Sequence, residues 1–156
     1  MGGLFFEDFE LGKTFTTTSH TVTGDEVLAF ADLTGDAHPL HVDPEFAAAS
    51  PFGEQIAHGL LGLSIAAGLG IETGVFADCM VAFLGLEDWR FLLPIRFGDT
   101  IHMVSTVVEA RRTSKGDTGV IKLQQDVMNQ RGELVQQGRF VSLVLAREPA
   151  TAGAAV

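Results

Sequence analysis

Basic side chains are scarce in this sequence: 10 Lys and Arg stand against 20 Asp and Glu, giving a formal charge of −10 and a pI near 4.7. With no run of Lys and Arg, nucleic acid is excluded as a partner, because phosphate binding needs a basic face. Cysteine is almost absent. The single Cys79 excludes an intrachain disulfide framework and suits a reducing cytoplasm. A membrane-length apolar run is missing too. Ile56–Ile71 is nearly all apolar but covers 16 residues and carries His58, where a bilayer needs about 20. It reads as a buried helix, and no membrane partner is expected. The opening Met-Gly-Gly-Leu-Phe-Phe-Glu-Asp is acidic where a secretory leader would be basic.

Apolar residues make up 46% and charged ones 19%, enough to exclude global disorder, and a chain of this length buries ~70% of its unfolded surface. No repeat or linker divides it. One domain is expected over residues 1–147, then a disordered tail at residues 148–156. Thr14–Val22 is β-branched and reads as a first strand. Thr23 and Glu26 have capping-box spacing ahead of a helix that stops near Thr34-Gly35. Residues 36–42 read as loop, because Pro39 disfavours helix at His38. Asp43-Pro44 starts a helix to about Ser50, and the apolar helix follows from Ile56. Beyond Gly74 the period is two. Strands are expected at Val81–Leu86, Asp88–Leu92, Thr100–Arg112, Thr118–Asn129 and Leu134–Ala146, with turns at Ser114–Asp117 and Asn129–Gly132. The pattern gives an α+β fold in which an antiparallel sheet wraps one long helix. That helix is apolar on every side and needs cover all round. An open sheet edge also invites pairing with a second copy.

Candidate chemistry is concentrated in Asp36-Ala37-His38-Pro39-Leu40-His41 and in His58-Gly59. Asp36 and His41 are five residues apart across a Pro-containing loop, where both side chains can converge on one water. A carboxylate and an imidazole so held can exchange its protons with a substrate. Asp36, His38, His41 and His58 also compose a possible two-His, one-carboxylate metal set, although no second ligand pair follows. Read singly, Asp36 is a loop aspartate, His41 a core histidine, His58 a residue that orders the loop or caps the helix, and Asp43 a helix cap.

The stretch Phe30 to Pro44, with Gly35-Asp36-Ala37-His38-Pro39-Leu40-His41, resembles the hydratase motif of the MaoC-like family of (R)-specific enoyl-CoA hydratases and dehydratases. Ile56-Ala57-His58-Gly59-Leu60 resembles its second block, and Pro94 through Gly98-Asp99 resembles the opening of a later strand. The likeness spans about residues 5–147. It implies a single hot-dog domain, a homodimer or dimer of dimers, and a place in cytoplasmic fatty-acid metabolism. It also implies a hydro-lyase acting on an acyl-CoA or acyl-carrier thioester, with no cofactor and no metal. Asp36 and His41 take the catalytic positions and Gly59 the oxyanion position, with His58 and His38 beside the substrate. Gly59 suits that role physically, because the first turn of a helix leaves amide hydrogens free at the positive end of its dipole. The sequence departs from the family twice: His38 stands for its usual Asn, and Ala67 for a serine of the central helix, Ser64 being the nearest hydroxyl. A hot-dog thioesterase and a non-catalytic acyl-binding domain are the alternatives. Arg90, Arg96, Arg111, Arg112 and Lys115 are the candidate cations for coenzyme A phosphates.

Overall fold

Residues 3–147 are described by a computed structural model, and the tail expected at residues 148–156 lies outside them. A single 3-10 turn, Phe6–Asp8, precedes two short strands, β1 (Thr14–Thr16) and β2 (His20–Thr21). Helices α1 (Gly24–Thr34), α2 (Pro39–Val42), α3 (Pro44–Ala48) and α4 (Gly59–Glu72) follow. Four long strands complete the chain: β3 (Met80–Phe91), β4 (Thr100–Arg112), β5 (Thr118–Asn129) and β6 (Leu134–Leu145). All pair antiparallel in the order β1-β4-β5-β6-β3, with β2 alongside β4. No helix among the described residues is long and apolar enough to cross a membrane.

The expected first strand is divided at Thr17. Its hydroxyl accepts the Met103 amide at 2.9 Å and donates to the Thr18 carbonyl at 2.7 Å, displacing one rung of the ladder. The two strands expected at residues 81–92 are instead the single β3. Register shifts between Phe83 and Gly85 and between Glu87 and Arg90 absorb the irregular spacing, and Asp88 takes a φ of 51° within the second. Both predicted hairpin turns are present, with Gly116 and Gly132 at positive φ.

The apolar segment becomes helical at Gly59 rather than Ile56. Ile56 bridges to Arg96 and the Ala57 amide donates to Ile95 O at 2.8 Å, so the run begins as extended chain tied to the sheet. Leu61, Ala66 and Leu69 of α4 are buried, in a core shared with Ile101, Met103 and Val127. Gly62 lets the helix approach closely: a Cβ there would come within 2.6 Å of Ile95. Cover all round, however, is not found among the described residues. Leu60 and Ile71 are each 58% exposed on the outer side of α4. Edge strand β3 likewise exposes Val81, Phe83, Leu84, Leu86 and Phe91.

Asp99, in the Gly98-Asp99 of the third motif, is a structural residue. Burial pushes its carboxyl up, but Arg131, Gln130 and the Arg96 amide outweigh that and hold it below the usual range. It fastens the β5–β6 turn to the start of β4. Burial pushes the Cys79 thiol up to about 11, so it packs as a small apolar side chain.

Candidate active site

The first candidate segment is delivered by a helix that starts and stops where its sequence dictates. Thr23 and Glu26 form the reciprocal capping box of α1. Gly35, at φ 78°, closes it, with its amide on Ala31 O at 2.8 Å. The chain then turns out of the helix at Asp36. Residues 39–42 are not loop, as Pro39 alone suggests. Pro39 is the first residue of α2, where a missing amide hydrogen costs nothing, and His38 is its N-cap. His38 Nδ1 accepts the Leu40 amide at 3.2 Å, the task an Asn side-chain oxygen performs, which explains how imidazole substitutes for the family's amide. Its exposed ring stands edge-on to His41 and Phe46. Asp43 caps α3 by accepting the Glu45 and Phe46 amides, as expected.

His41, half-buried on α2, has its Nδ1 2.7 Å from the Ile56 carbonyl oxygen. His58 is 2% exposed, and its Nε2 lies 2.8 Å from the Asp36 carbonyl oxygen. A carbonyl only accepts, so each of these nitrogens carries hydrogen. In the neutral rings, His41 Nε2 and His58 Nδ1 therefore bear lone pairs. The rings stack with centroids 3.8 Å apart, and His58 Nδ1 has no partner among the described residues. The Asp36 carboxylate is exposed and likewise unpartnered among the described residues. A carboxylate oxygen of Asp36 and one nitrogen each of His41 and His58 lie within 4.8 Å of one another. Two hydrogen bonds of about 2.8 Å at a tetrahedral oxygen span about 4.6 Å, so one water fits between carboxylate and imidazole. These three side chains are also the residues that could hold a metal ion.

Burial pushes the His41 imidazole below its ordinary 6.5, and the neighbouring His58 and His38 rings act in the same direction. The Ile56 hydrogen bond and the Asp36 carboxylate oppose this without reversing it. Neutral imidazole is thereby favoured near pH 7. Asp36 meanwhile sits close enough to stabilise a transient positive charge.

The amino end of α4 completes the group. No side chain caps it, and the Gly59, Leu60 and Leu61 amides donate to no acceptor among the described residues. A Cβ on Gly59 would lie 2.7 Å from the Phe91 ring, so the glycine is required by packing as well as by access. Its carbonyl accepts Gln136 Nε2 at 3.0 Å, and Gln136 Oε1 accepts the Trp89 indole at 3.3 Å. Gln136 is 1% exposed and fixes the start of the helix. Nothing in the motifs pointed to it. Its signal was a lone amide at an inward position of β6. A cleft of about 280 Å³, lined by Phe52, Gly59, Phe91, Leu93 and Gln136, opens beside this helix end. Ser64 spends its hydroxyl on Leu60 O, away from the chemistry, while Ala67 lines a separate cavity. Of the candidate cations, Arg96 sits beside the cleft, bonded to Phe52 O and paired with Glu54. Arg112 is committed to Glu7 and Gly116.

Residues 8–128 match the family model described as a MaoC-like domain. The chain is 36% identical over 108 residues to the 3-hydroxybutyryl-CoA dehydratase of Methylorubrum extorquens, covering 68% of this chain and 65% of that enzyme. It spans between 29% and 65% of the length of the curated relatives it matches at 36–38% identity. Among solved structures, a MaoC-like dehydratase from Rhodospirillum rubrum superposes with a TM-score of 0.84 at 32% identity, covering 94% of this chain and 99% of that one. The (R)-hydratase from A. caviae superposes at 0.73 with 31% identity, covering 87% and 97%. The fold is the hot-dog fold.

Proposed function

The chain belongs to the MaoC-like dehydratase family, and from that membership we propose that it adds water reversibly to a trans-2-enoyl thioester, giving the (R)-3-hydroxyacyl product. The observation that supports this reading is that a carboxylate oxygen of Asp36 and a ring nitrogen of His41 lie within 4.8 Å, a gap that one water can bridge. The uncapped end of α4 lies against them, through the bond from His58, its N-cap, to the Asp36 carbonyl. His41 Nε2 takes a proton from the shared water as its oxygen bonds to the β-carbon. The C=C electron pair moves toward the thioester oxygen, where the Gly59 amide and its neighbours receive the developing charge. The imidazolium then returns the proton to the α-carbon on the same face. Hydrogen and hydroxyl thus both come from one water, and nothing is oxidised or reduced. Asp36 holds the water and steadies the imidazolium. The thioester is its own electron sink, so the scheme uses no metal and no cofactor. Arg96, bonded to the cleft-lining Phe52, is a candidate cation for the phosphates of a coenzyme A carrier.

Crotonyl-CoA tests the reaction. Loss of enoyl absorbance without thiol release is expected. Thiol release would indicate a thioesterase, and binding without turnover a non-catalytic acyl-binding domain. Stoichiometric metal in protein purified without chelator or affinity tag would overturn the metal-free scheme.

The exposed apolar side of α4 and the unpaired edge of β3 support a homodimer, or a dimer of dimers, joined along that edge. Leu84, 53% exposed on β3, is the place to test it. Light scattering is expected to give a dimer or larger for the natural chain and a shift toward monomer for Leu84→Lys. A monomeric natural chain would refute the pairing.

A further inference from the structure

A cavity of about 330 Å³ lies along α4, away from the Asp36–His41 pair, with Ala67 and Gly70 on one wall, Met103, Leu123 and Phe140 of the sheet on the other, and the exposed Ile71 and Phe83 at its rim. At the ~1.5 Å rise of an α-helix, Ala67 and Gly70 stand ~12–16 Å from Gly59. Its lining is largely apolar, interrupted by the hydroxyl residues Thr73, Ser105 and Ser142, and contains no charged side chain. One feature of the wall does not suit a plain hydrocarbon. Gln125 is 1% exposed, yet it lines the cavity and occupies an inward position of β5 between Leu123 and Val127. Its neighbour across the ladder, Ser105, donates its hydroxyl to Gln125 Oε1 at 2.5 Å. With Oε1 so engaged, Nε2 is the free end of the amide. Nε2, with two hydrogens to give, has no partner among the described residues.

Nε2 faces the cavity, so this donor finds an acceptor only in what the cavity holds. A ligand with an acceptor at that place gains a hydrogen bond. We propose that the cavity receives the outer part of an acyl chain carrying a neutral oxygen, keto or hydroxyl, and that Gln125 Nε2 donates to that oxygen. A carboxylate is disfavoured, since no cation lines the wall to offset its desolvation. At about 1.2 Å per bond of extended chain, the oxygen falls roughly ten to thirteen bonds from the thioester. Ser105 is the positioning residue that holds the amide with its donor toward the cavity.

This assignment rests on the thioester reading of the catalytic site, and the test separates the two. Paired trans-2-enoyl-CoA substrates of about twelve to fourteen carbons, one plain and the others with a single keto oxygen on successive outer carbons, are compared by kcat/KM. The natural chain is expected to favour one keto isomer about tenfold over the plain chain, the yield of one well-made neutral hydrogen bond. Gln125→Met conserves volume and is expected to abolish or invert that preference while leaving crotonyl-CoA turnover unchanged. Gln125→Met with Ser105→Ala, which removes both polar partners, guards against misfolding of the single variant and is expected to behave alike. Equal rates on all isomers with the natural chain, or a keto preference that survives both variants, would overturn the proposal. If no enoyl-CoA is turned over, the hydratase reading fails instead. The same pairs, as saturated acyl-CoA, then decide the cavity's preference by titration calorimetry.

Discussion

Replacing His41 by asparagine is expected to lower kcat/KM for crotonyl-CoA hydration by about 10³-fold, within the range for losing a general acid–base group. The argument rests on the separate roles of the two ring nitrogens. Nδ1 is spent on the Ile56 carbonyl, and Nε2 is the base in the proposed scheme. The asparagine amide can still donate to Ile56, so H41N keeps the structural bond and loses the proton acceptor. H41A loses both, leaving a buried carbonyl unanswered at about 1–2 kcal/mol. Activity should therefore fall alike in both variants, while H41A melts at the lower temperature. Near-natural rates in H41N would remove His41 from the mechanism.

The pH profile carries the same assignment. A base held below the ordinary histidine value stays neutral, and active, to lower pH, so the acidic limb of kcat/KM for the natural chain is expected below pH 6.5. The sign for stability follows from the same shift. As pH falls through 6.5, the unfolded chain takes up a proton at residue 41 before the folded chain does, so stability contributed by this residue is lost toward acid.

Asp36→Asn is the second large effect, with an expected loss of about 10²–10³-fold in the same assay. The substituted amide retains the size of the carboxylate and can still touch the water, but it carries no charge to steady the imidazolium. The Asp36 carboxylate pulls the His41 imidazole upward. Removing it should displace the acidic limb of the residual activity further down, whereas a variant that merely disturbed the loop would leave the limb in place. A residual rate whose acidic limb stays put would deny Asp36 its electrostatic part.

The catalytic loop and its helix were legible because their determinants are local. A capping box, a closing glycine, and the five-residue step from Asp36 to His41 all act within one or two turns of chain. Pro39 was legible as punctuation but not in its sense: a proline both ends and begins helices, and His38 as an acceptor for the Leu40 amide decides which. The start of α4 depended on Ile56 and Ala57 finding Arg96 and Ile95 some forty residues away in the chain, which no periodicity contains. Gln136 and Gln125 were hidden for a related reason. Polar residues of a strand reveal their side only once the register of the sheet is known. The single β3 escaped notice because bulges mask a continuous ladder.

The carbonyl that orients His41 belongs to Ile56, and Ile56 is itself pinned to Arg96 at the mouth of the sheet. The imidazole proposed as the base therefore takes its bearing from a segment bridged to the sheet, although the segment that carries it is a short helix near the surface. Gln55 Nε2 also donates to the His41 carbonyl at 2.8 Å, so a displacement of the chain beside the cleft would be felt at the ring from two sides at once.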